Sequence, residues 1–169
     1  MIIREFSSIC DLRESMPLRT SEEGSRRGDR APTGYVYWIE NVNGWFKIGA
    51  TCNPENRMYE HLRWRPYFHG AALKRVVFTE VREDYRDLER SIHGAIHGFN
   101  YRSLPVSLGG SKFRSAGYLE RYWAPDRLRN LAFSMLRAAP GEVDRHERRL
   151  ARVSEELWKE MRFETPTAA

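Results

Sequence analysis

Four side chains, Tyr37, Lys47, Arg57 and Glu89, could together perform chemistry on a phosphate. A guanidinium grips a phosphate through two parallel hydrogen bonds and stabilises charge that develops on it. A phenol or an amine can take or orient the proton of an attacking water. A single carboxylate suffices for a divalent ion such as Mg²⁺ (or Mn²⁺), which keeps several waters and also binds a substrate phosphate. Taken singly, each residue has an ordinary role: Tyr37 as a core aromatic, Lys47 as a solvated strand residue, Arg57 as a surface or salt-bridge residue, Glu89 on a polar helix face. Their order and spacing argue for the set.

The elements that must position them follow from local pattern. Two strand-like runs, YVYWIE and WFKIGA, flank the turn Asn41-Val42-Asn43-Gly44. Both faces of the first run are apolar, as in a strand covered on both sides. In the second, Lys47 falls on the face opposite Phe46 and Ile48. Asn53-Pro54-Glu55 reads as a helix N-cap, a proline at the first helical position and an acidic first turn. That helix runs to about Trp64, before Pro66, and places Arg57 and His61 on one face. Ala71 to Phe78 reads as a third strand. A longer helix, about Val81 to His97, follows with Tyr85, Leu88, Ile92 and Ile96 at helical spacing, and Gly98 is expected as its C′ cap. Glu89 supplies the carboxylate on that helix. His93 and His97 follow it at four-residue steps, which leaves a transition-metal stripe open beside a supporting role for the histidines. Cys52 is expected as a small buried side chain.

These residues resemble the motifs of the GIY-YIG nuclease superfamily, in its KIG-type phage and bacterial branch. Val36-Tyr37 stands where that family has the Ile-Tyr of its first motif, with Tyr35 in place of the glycine. Lys47-Ile48-Gly49 stands where it has Tyr-Ile-Gly, and Arg57 follows Gly49 by eight residues, as the family's helix arginine does. His61 matches a histidine of some members, and Leu88-Glu89 lies where the family places its metal-binding glutamate. The resemblance covers roughly residues 34–123. It implies an α/β (α+β) fold, a small three-stranded antiparallel sheet flanked by helices, that hydrolyses DNA phosphodiesters with one Mg²⁺ or Mn²⁺ on Glu89. It implies that Tyr37 is or positions the general base, that Arg57 stabilises the transition state, and that His61 moves a proton or orients the phosphate. Two departures stand out. Lys47 replaces the second tyrosine, as in some restriction-type members, where a cation could activate water or bind phosphate. Asn100 is the nearest candidate for the family's late asparagine.

Outside residues 34–123 the chain is read as an N-terminal arm and linker (1–33) and a C-terminal helical extension packing on the core (124–169). The extension holds a helix over about 124–138 and another over about 142–163. The second helix offers a packing face, with a homodimer contact as the alternative, because its apolar stripe is too short for a clean coiled coil. The net charge of +5 favours polyanionic partners without identifying one. Most of the excess lies in residues 34–123, with 13 Lys/Arg against 9 Asp/Glu. DNA is the expected partner, and Arg63, Arg65, Lys74, Arg102, Lys112 and Arg114 are the expected backbone contacts, several of them among aromatics and glycines. Cys10 and Cys52 have no framework spacing, no run approaches a membrane span, and a cytoplasmic protein is expected. A catalytically weakened nucleic-acid-binding module and a nuclease toxin or effector are the alternative readings.

Overall fold

The computed structural model describes residues 3–6, 31–42, 44–63, 73–100 and 121–163. Among these residues, five strands form one antiparallel sheet: β1 (Ile3–Phe6), β2 (Tyr35–Asn41), β3 (Phe46–Thr51), β4 (Leu73–Thr79) and β5 (Arg121–Tyr122), in the order β1-β4-β2-β3-β5. The helices are α1 (Pro54–Arg63), α2 (Tyr85–Ile96), α3 (Asp126–Met135) and α4 (Val143–Phe163). The class is mixed α+β, as expected, but the sheet has two strands more than expected. β1 extends the β4 edge over Ile3–Phe6, and β5 adds a two-residue edge to β3. Neither has the length or alternation that marks a strand in sequence.

The β2–β3 hairpin turns where its sequence demands. Trp45 N–H donates to Asn41 Oδ1 at 3.0 Å, Gly44 N–H donates to Asn41 O at 3.1 Å, and Gly44 has φ 80°. That backbone conformation is open to glycine at no steric cost. Every residue of β2 is buried, because the strand is covered on both faces. Val36 and Trp38, with Phe46 and Ile48 of β3, join a large core built with α2, α3 and α4. Tyr35, Tyr37 and Ile39 face the other way and form a smaller cluster with Val76, Phe78 and Met58 of α1.

The C-terminal helices complete the large core. Leu128, Ala132 and Met135 of α3 and Leu150 and Val153 of α4 are buried in it, with Leu157, Trp158 and Met161 packed alongside. The α4 stripe that offered a homodimer contact is therefore spent inside the chain. Arg82 fastens this half to the sheet. Its guanidinium takes both oxygens of Asp84 at 2.6 Å and donates to Ala138 O at 2.7 Å. Its backbone pairs with Gly34 in both directions, just before β2. The expected C′ role of Gly98 is not what is found. α2 tightens into a 3-10 turn over His97–Phe99, closed by Asn100 N–H to His97 O at 3.1 Å, and only Gly44 among the described glycines has positive φ. No helix among the described residues is long and apolar enough to cross a membrane.

Candidate active site

The strand register brings Tyr37 and Gly49 opposite each other on β2 and β3. A Cβ on Gly49 would fall on the Tyr37 phenol, so the glycine of the Lys-Ile-Gly run is what lets that ring lie across β3. Among the described residues, β5 pairs with β3 at Phe46 and Lys47. Further along β3, Glu89 reaches the strand: its Oε1 accepts the Ala50 N–H at 3.0 Å. The phenol and the carboxylate therefore abut consecutive residues, Gly49 and Ala50. Tyr37 approaches from the α1 face of the sheet, and Glu89 reaches the strand edge from α2.

Lys47 lies on the same face as Gly49 and Tyr37 and is buried, so the expected solvated lysine is not what is found. Burial follows from its place: β3 is an inner strand there, with Ile39 of β2 on one side and Arg121 of β5 on the other. Arg121 is itself buried and, as the cross-strand partner, shares the face of Lys47. Nothing in the local pattern marks Arg121, because a two-residue strand has no periodicity. Only the register of β5 could have found it.

Arg57 is carried by α1, whose start is built as its sequence implies. Thr51 Oγ1 accepts Asn53 N–H at 3.0 Å, Asn53 Oδ1 accepts Asn56 N–H at 3.0 Å, and Pro54 follows the cap. The arginine is half-buried beside Met58, which packs in the cluster containing Tyr37. His61 lies one turn further on α1, and its side chain is outside the described residues. Arg63 closes the helix, again with its side chain outside them, and Arg65, Arg102, Lys112 and Arg114 lie outside the described residues altogether. Lys74 is described and sits elsewhere. It ion-pairs with Glu40 at 2.8 Å, four residues along β4 from the Tyr37 partner Phe78, roughly 13 Å away.

The histidines of α2 divide. His93 Nε2 stands 3.6 Å from Glu89 Oε1, and its Nδ1 hydrogen-bonds the Tyr122 hydroxyl of β5. His97 is exposed and turns its Nδ1 to Gly94 O at 3.2 Å. The three-residue metal stripe does not assemble, and no group of three or more His, Cys, Asp or Glu suited to a metal occurs among the described residues. Asn100 is buried and bridges to Tyr122 through its backbone. Cys52 is half-buried rather than buried, because it lies past the end of β3 in the turn that caps α1. Near it, the Arg86 guanidinium donates to the Tyr85 hydroxyl at 2.7 Å. That hydrogen bond raises the Arg86 pKa, and the nearby Cys52 and Glu89 add to the shift.

Residues 34–106 match the T5orf172 domain. This is a phage-associated domain of endonuclease type, which supports a nuclease-like or DNA-binding function. Tyr37, Lys47, Arg57, His61 and Glu89 all fall within the match, whereas Arg121, α3 and α4 lie beyond it. No curated protein and no solved structure matches the chain.

Proposed function

We propose that the protein is a metal-dependent DNA endonuclease that hydrolyses phosphodiester bonds through a GIY-YIG-like centre. The observation that carries this reading is the convergence of the Tyr37 phenol and the Glu89 carboxylate on the Gly49–Ala50 segment. The resemblance to the T5orf172 domain over the same residues supports it.

In this reading the scissile phosphate sits on the α1 side of β3. Arg57 holds its non-bridging oxygens and stabilises the charge that grows on them as water attacks phosphorus. Tyr37 Oη accepts or orients the proton of that water, and Lys47, on the same face of the sheet, binds phosphate or orients the water. His61, one turn from Arg57, assists the proton or orients the phosphate. Glu89 fits a hard divalent cation. One of its oxygens is fixed by the Ala50 amide, and its side chain stays 24% exposed, so further lone pairs remain for an ion that takes its other ligands from water and phosphate. When bound there, Mg²⁺ or Mn²⁺ supplies positive charge to the phosphate oxygens.

A plasmid-nicking assay tests the reading. Wild type is expected to nick supercoiled DNA with Mg²⁺ and to lose that activity with EDTA. Arg57→Ala and Glu89→Ala are each expected to reduce it at least about a hundredfold. Lys47 in place of a second tyrosine favours the alternative, a binding module with a weakened centre. Binding without cleavage of any DNA or RNA would establish that alternative. A nuclease toxin or effector would share the chemistry and differ only in its target.

A further inference from the structure

We infer that the outer face of α4 is a second nucleic-acid contact, one that tracks the phosphate backbone of duplex DNA through Arg145, Arg148, Arg149 and Arg152. The inference rests on the nuclease reading for its choice of polyanion, and its residues lie outside the candidate centre and beyond the matched domain.

The first half of α4 is arranged in an unusual way. Val143, Leu150 and Val153 are buried in the core, whereas Arg145, Arg148, Arg149 and Arg152 are all exposed. At about 100° per residue the four arginines fall within an arc of roughly 100° on the side away from the core. No acid from residues 145–152 enters that arc; Asp144 and Glu147 lie to one side of it. Arg145 and Arg152 keep 76% and 73% of their side-chain surface in solvent, and their ion pairs, to Glu142 at 3.8 Å and Glu156 at 3.9 Å, are long and marginal. Arg148 donates to the Asp144 carbonyl at 3.3 Å.

Helix stability does not account for this arrangement. Arginines three and four apart repel one another along the face. The helix dipole is served in the first turn by Asp144, with Glu142 just before it, and Arg148, Arg149 and Arg152 lie beyond its reach. The unfavourable term is thus the repulsion along the arginine face, and an anionic partner along the first half removes it. The stripe from Arg145 to Arg152 spans about 10 Å of helix at 1.5 Å per residue. That matches about three phosphate steps of one strand at 3.4 Å each along the duplex axis. Guanidinium groups suit phosphate oxygens geometrically as well as by charge.

The test is binding of a labelled duplex as a function of salt, in a Glu89→Gln background so that cleavage does not interfere. Replacing all four arginines by glutamine is expected to weaken binding at least tenfold near 0.1 M salt. It should reduce the slope of log K against log salt by about 3, from about 0.9 per phosphate contact. A matching set of lysines should restore most of the slope. In the cleaving protein, the glutamine set should raise the DNA concentration needed for half-maximal nicking and leave the rate at saturating DNA unchanged. If the four-fold variant does not fold, the Arg148→Gln/Arg149→Gln pair should still show about half the slope change. An unchanged slope in a folded variant overturns the inference, as does a loss of binding to single-stranded RNA or an acidic protein with duplex binding intact. If Glu89→Ala nicks as fast as wild type, the catalytic reading fails, while the slope measurement still decides the α4 face.

Discussion

Two glutamates on this scaffold, Glu40 and Glu89, show how a carboxylate is used to hold a fold or left available for chemistry. Glu40, at the hairpin end of β2, is completely buried. It receives Lys74 Nζ at 2.8 Å, Arg75 Nε at 2.7 Å and the Trp38 indole N–H at 3.3 Å, with Arg129 3.7 Å away. Burial alone would raise its pKa, but the hydrogen bonds and charges of Lys74 and Arg75 outweigh burial and hold it below the usual carboxylate value. Glu89 has one backbone amide at 3.0 Å, an imidazole at 3.6 Å and a quarter of its side chain in solvent. The first carboxylate is surrounded by cations of the same chain. The second is anchored by one oxygen and retains capacity for a ligand from outside. The difference lies in position: Glu40 sits beneath β4 and α3, and Glu89 reaches from α2 to the Ala50 amide of β3.

Exchanging each carboxylate for its amide should split the two roles. Glu40→Gln leaves Arg75 without its buried counter-charge, while Arg129 keeps Asp126, and should destabilise the protein by about 3 kcal/mol, read as a shifted urea midpoint at unchanged slope. Its nicking rate per folded molecule should stay within about twofold of wild type, because Glu40 lies far from Gly49. Glu89→Gln should do the reverse. Its amide oxygen can still accept the Ala50 N–H, so stability should change by under about 1 kcal/mol while metal-dependent nicking collapses. A fully stable Glu40→Gln protein would mean that the cation cluster does not hold the fold.

The contrast also predicts a pH dependence. The folded-state pKa of Glu40 is depressed below its ordinary value of 4.5. Its contribution is therefore fully present above that value and is lost as the pH falls through the lower, folded-state pKa, where protonation removes the counter-charge. The stability gap between wild type and Glu40→Gln should be constant between about pH 7 and pH 5.5 and should narrow below about pH 4.5. A gap that stays constant to about pH 3 would show that the charge on Glu40 contributes nothing.

The sequence made some of this legible and hid the rest for physical reasons. The β2–β3 hairpin, α1 with its asparagine cap and α2 with its apolar stripe could be read because their signals are local: alternation, capping chemistry and helical period. Tyr37, Arg57 and Glu89 could be proposed together because spacing along those elements fixes their faces. The burial of Lys47 could not be read, since it depends on β5 arriving from more than seventy residues downstream to cover the edge of β3. Arg121 was hidden for the same reason. The structural use of Lys74 was hidden because its partner Glu40 reads, in isolation, as an ordinary polar residue on a strand. Long-range pairing decided each of these, and no local pattern encodes it.

Lys74 gives the smallest effect and separates two uses of a basic side chain. Its charge suggested a DNA contact, yet its ammonium is held by Glu40. Half of its side chain is in solvent, whereas Arg75 is 23% exposed and lies 4.2 Å over the Phe133 ring. Solvent screens the Lys74 pair, and Glu40 keeps Arg75 and Arg129 when it is lost, so no charge is left without a partner. Lys74→Ala should therefore cost only about 0.5–1 kcal/mol of stability. If Lys74 is committed to Glu40, the slope of log K against log salt for duplex binding should not change. A phosphate contact would lower that slope by about 0.9 with the same small loss of stability. The salt slope thus distinguishes a lysine that completes a buried ion cluster from one that holds DNA.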